Sequence, residues 1–97
     1  MTRIELSHGA ESDLADITTY SVDTFGPVNA ALYLRDLDRA LDRLSEFPAL
    51  GMVVADLDQK PRCLPCRQHR IFYRHDEDSI LVIRILHHAM DPSKWLE

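Results

Sequence analysis

Histidine and arginine side chains lie near the end of the chain in a pattern that suits acid–base chemistry on a phosphate. Arg84 precedes His87 by three residues, and His88 follows directly. Histidine changes its charge between pH 5 and 8, and a nearby arginine can stabilise charge that develops on a transferring phosphoryl group. The chemical hypothesis is a general base at His87 with Arg84 as a phosphate clamp. The structural alternative is that His87 ends a strand with a structural hydrogen bond and that His88 is solvated.

A second candidate is a strip of five cations with no acidic residue among them: Lys60, Arg62, Arg67, Arg70 and Arg74. Arg70 and Arg74 are four positions apart, so on a regular strand they point the same way, with Phe72 between them. One interpretation is a surface for an anionic partner, such as an acidic protein tail, an enzyme target or DNA. The other interpretation is a solvated strand face.

Two cysteines form a single CxxC motif, Cys63 to Cys66. A redox pair belongs at the start of a helix, whose dipole lowers the thiol pKa, whereas the residues here are typical of strands. A zinc site needs two further ligands, for which His69 and His75 are near in sequence. Two ordinary thiols are the favoured interpretation, so we expect no metal and no cofactor.

Two helices and a small sheet must position these residues. Residues 3–6 alternate polar and apolar side chains and predict a strand. Ser7 is a suitable N-cap for a first helix, which Gly26 ends. The second helix runs from about Pro27 to about Glu46. Its apolar stripe comprises Ala30, Leu34, Leu37, Leu41 and Leu44, and the apolar residues Val28, Leu32 and Tyr33 fall outside that stripe.

Three more strands are predicted in the second half of the chain. Residues 62–66 form an edge strand or a bulge, because Pro65 lacks a donor, and residues 52–60 read as a loop with an edge segment. Residues 67–75 form a strand with Tyr73 in the core, and residues 80–86 are apolar on both faces, as in a central strand. Residues 91–96 begin like a one-turn helix, with Trp95 available as an anchor. The order β-α-α-β-β-β predicts an α+β fold, with an antiparallel helical hairpin packed on a small, mostly antiparallel sheet.

Composition limits the classes of function. The chain of 97 residues is expected to be a single domain, 1–97, with a net charge of −5 and a pI of about 5.4. Residues 1–58 carry −7 and residues 59–97 carry +2, so we expect no strong nucleic-acid binding by the chain alone. No apolar run reaches the ~18–20 residues that span a membrane, and no signal peptide is apparent. We therefore expect a cytoplasmic protein with reduced thiols.

These elements and residues resemble the ParE/RelE toxin superfamily of bacterial toxin–antitoxin systems. The resemblance covers nearly the whole chain. It rests on Glu11-x-Asp13-Leu14-x-x-Ile17, Phe47-Pro48-x-x-Gly51, Arg70-Ile71-Phe72-Tyr73-Arg74, Ile83-Arg84-Ile85-Leu86-His87 and Ala89-Met90-Asp91. The last pieces are more similar to the ParE branch than to the RelE branch.

The resemblance implies a toxin that a ParD-like antitoxin neutralises by wrapping it. Toxins of the ParE branch are thought to stall DNA gyrase on cleaved DNA, whereas RelE-branch toxins cut mRNA on the ribosome. Arg84 matches an arginine of the RelE branch, but Met90 stands where those toxins often carry an aromatic or histidine acid. A pI of 5.4 is also unfavourable for docking onto ribosomal RNA. The ParE interpretation is therefore preferred, with a ribonuclease using Arg84 and His87, or a non-toxic member that only binds its antitoxin, as alternatives.

For a gyrase inhibitor we expect no catalytic residues of its own. The expected target contacts lie on the basic strand face and the C-terminal end: Arg67, Arg70, Arg74, Arg84, His87, Met90, Asp91 and Trp95. The expected antitoxin contacts combine apolar helix residues with basic ones: Leu14, Ile17, Val28, Leu32, Tyr33, Arg62, Arg70 and Arg74.

Overall fold

A mixed five-stranded sheet carries two long helices on one face. The elements of this computed structural model are β1 (Arg3–Leu6), α1 (His8–Phe25), α2 (Pro27–Glu46), β2 (Met52–Val53), β3 (Arg62–Cys66), β4 (His69–His75), β5 (Ser79–His87) and α3 (Pro92–Trp95). The strand order is β1-β5-β4-β3-β2, with β1 parallel to β5 and the other pairs antiparallel. The predicted α+β architecture is confirmed, and the predicted edge segment is β2.

The structure describes residues 2–96, so the two ends of the expected domain, Met1 and Glu97, lie outside the described residues. Within that range, none of the helices combines the length and the apolar character needed to cross a membrane.

Local sequence signals set the helical hairpin. Ser7 Oγ accepts the N–H of Ala10 at 3.0 Å and donates to the carbonyl of Ile83 at 2.6 Å, so the cap of α1 also ties it to β5. Gly26 has φ of 84° and separates the helices alone, with Pro27 opening α2. Because one residue joins the helices, they lie side by side. The predicted hairpin is confirmed.

The core lies between the helices and the sheet. It is formed by Ala10, Ile17, Tyr33, Leu37, Leu44, Ile71, Tyr73, Ile80, Val82 and Ile85. Tyr33, which falls outside the predicted stripe, nevertheless belongs to the core, because only 8% of it is exposed. The side of α2 that carries Tyr33 lies over the turn between β3 and β4, and there the hydroxyl accepts the N–H of Gln68 at 3.2 Å.

Two placements in β4 and β5 differ from the prediction. Arg67 does not lie on a strand: it occupies the turn before β4 with φ of 53°. In β5 the register moves from Phe72 opposite Arg84 to Tyr73 opposite Val82, which leaves Ile83 unpaired. This irregularity breaks the simple alternation of faces, and the Arg84 side chain reaches α1 instead of joining a basic strand face.

Pro65 lies where a strand without a donor can be tolerated. β2 pairs only with Cys63 and Arg62, so in the described chain no strand follows β3 on the outer side of Pro65. The prediction that this segment is an edge therefore holds at Pro65 and is wrong for Arg62 and Cys63, which pair with β2.

Tyr73 fastens the loop after α2 to the sheet. Its ring is fully buried, its hydroxyl donates to the carbonyl of Pro48 at 2.7 Å, and it accepts the N–H of Gly51 at 2.8 Å. A Cβ at Gly51 would lie 2.8 Å from the hydroxyl oxygen. Only glycine therefore allows this close approach without displacement.

Replacing Tyr73 by Phe is expected to lower the free energy of unfolding by about 1–3 kcal/mol, because the buried N–H of Gly51 loses its acceptor. Chemical denaturation followed by circular dichroism measures the change. The matched control is Tyr20→Phe, at a tyrosine that is 62% exposed, which should leave stability unchanged. Equal stability of the two variants would contradict this role for the Tyr73 hydroxyl.

Candidate functional site

A bidentate ion pair joins α1 to β5 at the centre of the candidate site. Arg84 donates from Nε and Nη2 to the two carboxylate oxygens of Asp13, both at 2.8 Å. Asp13 Oδ2 also accepts the N–H of Ile85 at 2.9 Å. Among the described residues, β1 pairs with β5 only as far as Val82, so the carboxylate satisfies a donor at the open edge. The hydrogen bonds with Asp13 raise the pKa of Arg84.

Asp13 was not among the expected site residues, although its position carried a signal. It lies three residues after buried Ala10 and four before buried Ile17, so it borders the helix face that packs on the sheet. Arg84 is a lone charge in an otherwise apolar strand and needs a counterion. A carboxylate at the border of the packed helix face, together with a single arginine in an apolar strand, indicates such a pair.

Two arginines hold the C-terminal segment, residues 88–96, in place. Arg84 Nη1 donates to the carbonyl of Trp95 at 2.9 Å, and the guanidinium carbon lies 5.9 Å from the centroid of the Trp95 ring. Arg70 Nη2 donates to the carbonyls of Met90 at 2.7 Å and His88 at 3.3 Å. α3 buries none of its residues. The C-terminal segment is therefore held in place largely by these hydrogen bonds and by the cation–π contact of Arg84 with Trp95.

An open groove of about 520 Å³ lies between α1 and the C-terminal segment. Two acidic residues of α1, Asp13 and Asp16, border it. Aromatic side chains from five elements of the fold contribute to its walls: Tyr20, Phe25, Tyr33, His69, His87 and Trp95. Such a surface suits an apolar or aromatic segment of a partner.

Three histidine rings follow one another, of which His69 and His87 line the groove and His88 is exposed. His69 Nδ1 lies 2.5 Å from the hydroxyl of Tyr33, which also accepts the N–H of Gln68. The ring centroids of His69 and His87 are 5.4 Å apart, and those of His87 and His88 are 4.3 Å apart. Burial lowers the pKa of His69. The neighbouring His87 and His88 lower it further, and the charge of Asp13 opposes the decrease. His69 was not predicted as a site residue.

Tyr33 is not an activated nucleophile in this arrangement. Burial raises its pKa, which the hydrogen bond from Gln68 and the charge of Arg67 only partly oppose. The hydroxyl therefore stays protonated and orients His69.

The predicted basic strip does not form one free cationic face. Arg62 donates to the carbonyls of Ala49 and Gly51, at 3.3 and 2.7 Å. Arg67 pairs with Asp36 at 2.6 Å. Arg70 holds the C-terminal segment and lies over the ring of Phe72, while exposed Arg74 donates to the Gln59 side chain. Each of these guanidinium groups therefore has a contact within the protein.

The two cysteines lie on β3 and are free thiols. Burial raises the pKa of both, which suppresses the thiolate form needed for redox chemistry. Among residues 2–96, no three His, Cys, Asp or Glu side chains come together in a way that could hold a metal ion.

The expected antitoxin contacts divide by burial. Val28 is 74% exposed and Leu32 is 39% exposed, whereas Leu14 is half-buried and Ile17 is buried in the core with Tyr33. Tyr20 and Phe25 extend the same exposed apolar surface at the hairpin end, with their rings packed edge to face at 6.2 Å. We call Tyr20, Phe25, Val28 and Leu32 the hairpin rim.

The remaining expected target contacts lie at the C-terminal end. Met90 is half-buried and lines the groove, and Trp95 is 46% exposed. Asp91 caps α3 by accepting the N–H of Ser93 at 3.0 Å, and this hydrogen bonding lowers its pKa. These residues therefore adjoin the groove rather than a continuous basic strand.

Comparison with known proteins identifies the family. The model described as "ParE toxin of type II toxin-antitoxin system, parDE" matches residues 4–92. The chain belongs to the ParE toxin family. Toxin ParE1 of Mycobacterium tuberculosis is 35% identical over 96 residues, 98% of each chain. Toxin ParE1 of Caulobacter vibrioides is 34% identical over 91 residues, 94% of each chain.

A solved structure described as "Chromosomal ParDE TA system from P. aeruginosa" has the same fold as this ParE-family toxin. The TM-score is 0.76 at 20% identity, covering 90% of this chain and 96% of that chain. The resemblance to the ParE branch is therefore confirmed. The ion pair, the histidines and the hairpin rim lie inside the matched range, and Trp95 lies beyond it.

Replacing Asp13 by Asn is expected to lower the free energy of unfolding by about 2–3 kcal/mol, because Arg84 loses its counterion. This is less than for a fully buried pair, since the Arg84 side chain is 23% exposed. Asp36→Asn, which removes the more exposed pair with Arg67, should cost less than about 1 kcal/mol. Urea denaturation of both variants makes the comparison. An equal, small loss in both would contradict a special role for the Asp13–Arg84 pair.

Proposed function

We propose that the chain is a toxin that inhibits DNA gyrase and is neutralised by a cognate antitoxin. Membership of the ParE family supports the toxin role. The observation that carries the antitoxin proposal is the hairpin rim beside the groove, because exposed apolar side chains border a cavity with aromatic walls. The proposed site of action is the cytoplasm, where gyrase acts on DNA.

The hairpin rim and the groove suit an amphipathic antitoxin segment. Apolar side chains spaced along such a helix can pack on Val28 and Leu32, while one of them enters the groove. Exposed apolar area of this kind on a small domain is typical of a protein–protein interface. Asp16 at the groove border would select the polar side chains of the partner, because Asp13 is already paired with Arg84.

The proposed gyrase contacts are the exposed members of the expected set. Arg74, Asp91 and Trp95 are exposed, and His87 with Met90 lines the groove beside them. Arg70 and Arg84 support this surface by holding the C-terminal segment. In this proposal Arg67 is a minor contact, because Asp36 already pairs with it.

A ribonuclease of the RelE type is the less favoured function. Such an enzyme needs an arginine that is free to bind the phosphate, but two oxygens of Asp13 and one of Trp95 already occupy the guanidinium of Arg84. We therefore expect intact mRNA in a translation extract containing the folded chain in excess. Primer extension on a reporter mRNA measures the outcome. Ribosome-dependent cleavage that a His87→Ala variant lacks would contradict the gyrase proposal.

Induction of the chain alone is expected to arrest growth, and co-expression of the antitoxin encoded beside it should restore growth. A double variant, Val28→Glu with Leu32→Glu, is expected to bind the antitoxin at least about tenfold more weakly, because charge replaces two apolar contacts. Growth should then stay arrested despite the antitoxin.

The matched control is Met52→Glu, at a residue that is 79% exposed on β2, away from the hairpin rim. The antitoxin should neutralise this variant as well as it neutralises the wild type. Full neutralisation of the double variant would contradict the rim as the docking site. Normal growth of cells that express the folded wild-type chain alone would support the non-toxic alternative instead.

A further inference from the structure

His87 makes a backbone contact that depends on its protonation state. Its Nδ1 accepts the N–H of Ala89 at 3.2 Å, and its carbonyl accepts the N–H of Met90 at 2.9 Å. A neutral imidazole has one acceptor nitrogen, whereas a protonated imidazole has two donors and no acceptor. The contact with Ala89 therefore requires a neutral ring with its proton on Nε2.

The turn that these two hydrogen bonds close determines where the C-terminal segment begins. It delivers the carbonyl of Met90 to Arg70 and leads through α3 to the contact of Trp95 with Arg84. No residue of α3 is buried. Apolar packing of α3 therefore offers little to compensate if the turn opens.

Few acidic groups around His87 are free to offset an additional positive charge. The rings of His69 and His88 contact the His87 ring. Arg84, from β5, carries a permanent positive charge in the same groove, and Asp13 of α1 already neutralises it. Tyr33 of α2 is uncharged, which leaves Asp16 of α1 as the remaining acidic group of the groove.

We propose that His87 is a positioning residue: in its neutral form it closes the 87–90 turn and docks the C-terminal segment, and proton uptake releases that segment. This inference goes beyond the proposed function, because it concerns the isolated chain and requires neither antitoxin nor gyrase. If the gyrase proposal holds, mild acid would loosen part of the surface that contacts the target.

Trp95 reports on docking, because it is the single tryptophan of the chain. Acrylamide quenching of its fluorescence measures how accessible the ring is. Because docked Trp95 is 46% exposed, we expect partial accessibility for the wild type at pH 8 and a step to higher accessibility between pH 8 and pH 5. The amide resonance of Ala89 in a ¹⁵N correlation spectrum should move over the same pH range.

Global unfolding has to be followed separately. Because the pKa of His69 is lowered in the folded state, the unfolded chain binds more protons as the pH falls below about 6.5. The whole fold therefore loses stability in that range. Far-UV circular dichroism at each pH distinguishes release of the segment from unfolding.

Three variants test whether the effect arises from His87 Nδ1. His87→Asn supplies a non-titrating oxygen that can accept the N–H two residues ahead, as in an Asx turn, so Trp95 should stay protected at both pH values. His87→Ala has no acceptor and should leave Trp95 accessible at both. His88→Gln, the control within the same stack, should keep the wild-type step.

The comparison at pH 8 is decisive even if acid unfolds the chain. Equal accessibility of Trp95 in the Asn and Ala variants at that pH would overturn the proposal. A wild-type chain that stays folded to pH 5 without a step would also overturn it, as would an unchanged step in His87→Asn.

Discussion

The ion pair between Asp13 and Arg84 connects the parts of the molecule on which the candidate site depends. The carboxylate joins α1 to β5 and satisfies the N–H of Ile85 at an open strand edge. The guanidinium reaches past α1 to hold Trp95. Gly9 allows this approach, because a Cβ there would lie 2.8 Å from Arg84 Cδ. One strand arginine thus sets the position of a helix, the end of the chain and the groove between them.

This use of arginine favours the gyrase proposal over the ribonuclease alternative. Arg62, Arg70 and Arg84 each donate to backbone carbonyls. Their guanidinium groups therefore stabilise the fold and are less available to bind a phosphate. The surface around the groove carries exposed apolar and aromatic side chains. The hairpin rim lies on one side of the groove and Trp95 on the other. Such a surface favours protein partners over nucleic acid, in keeping with the net charge of −5.

Periodicity and turn chemistry were enough to predict the helical hairpin, the edge at Pro65 and the architecture. The site was harder to predict, because it depends on local departures from regular geometry. The unpaired Ile83 alters the direction of Arg84, and the turn at Arg67 removes that residue from the strand. The alternation of side chains along a strand predicts neither the irregularity in β5 nor the turn before β4, because it assumes a regular strand. Tyr33 was left out because the predicted stripe contained only Ala30 and four leucines, whereas Tyr33 belongs to the core and places its hydroxyl beside His69.

The most direct test of the gyrase proposal is a cleavage assay with purified gyrase, ATP and supercoiled plasmid, with and without the folded chain. A toxin that traps gyrase is predicted to yield linear DNA covalently linked to gyrase, and only when the toxin is present. Under the same conditions Trp95→Ala should yield less linear DNA, with Met52→Ala as the control at another exposed apolar residue. Unchanged supercoiling with no linked DNA, at a molar excess of folded toxin, would contradict gyrase as the target.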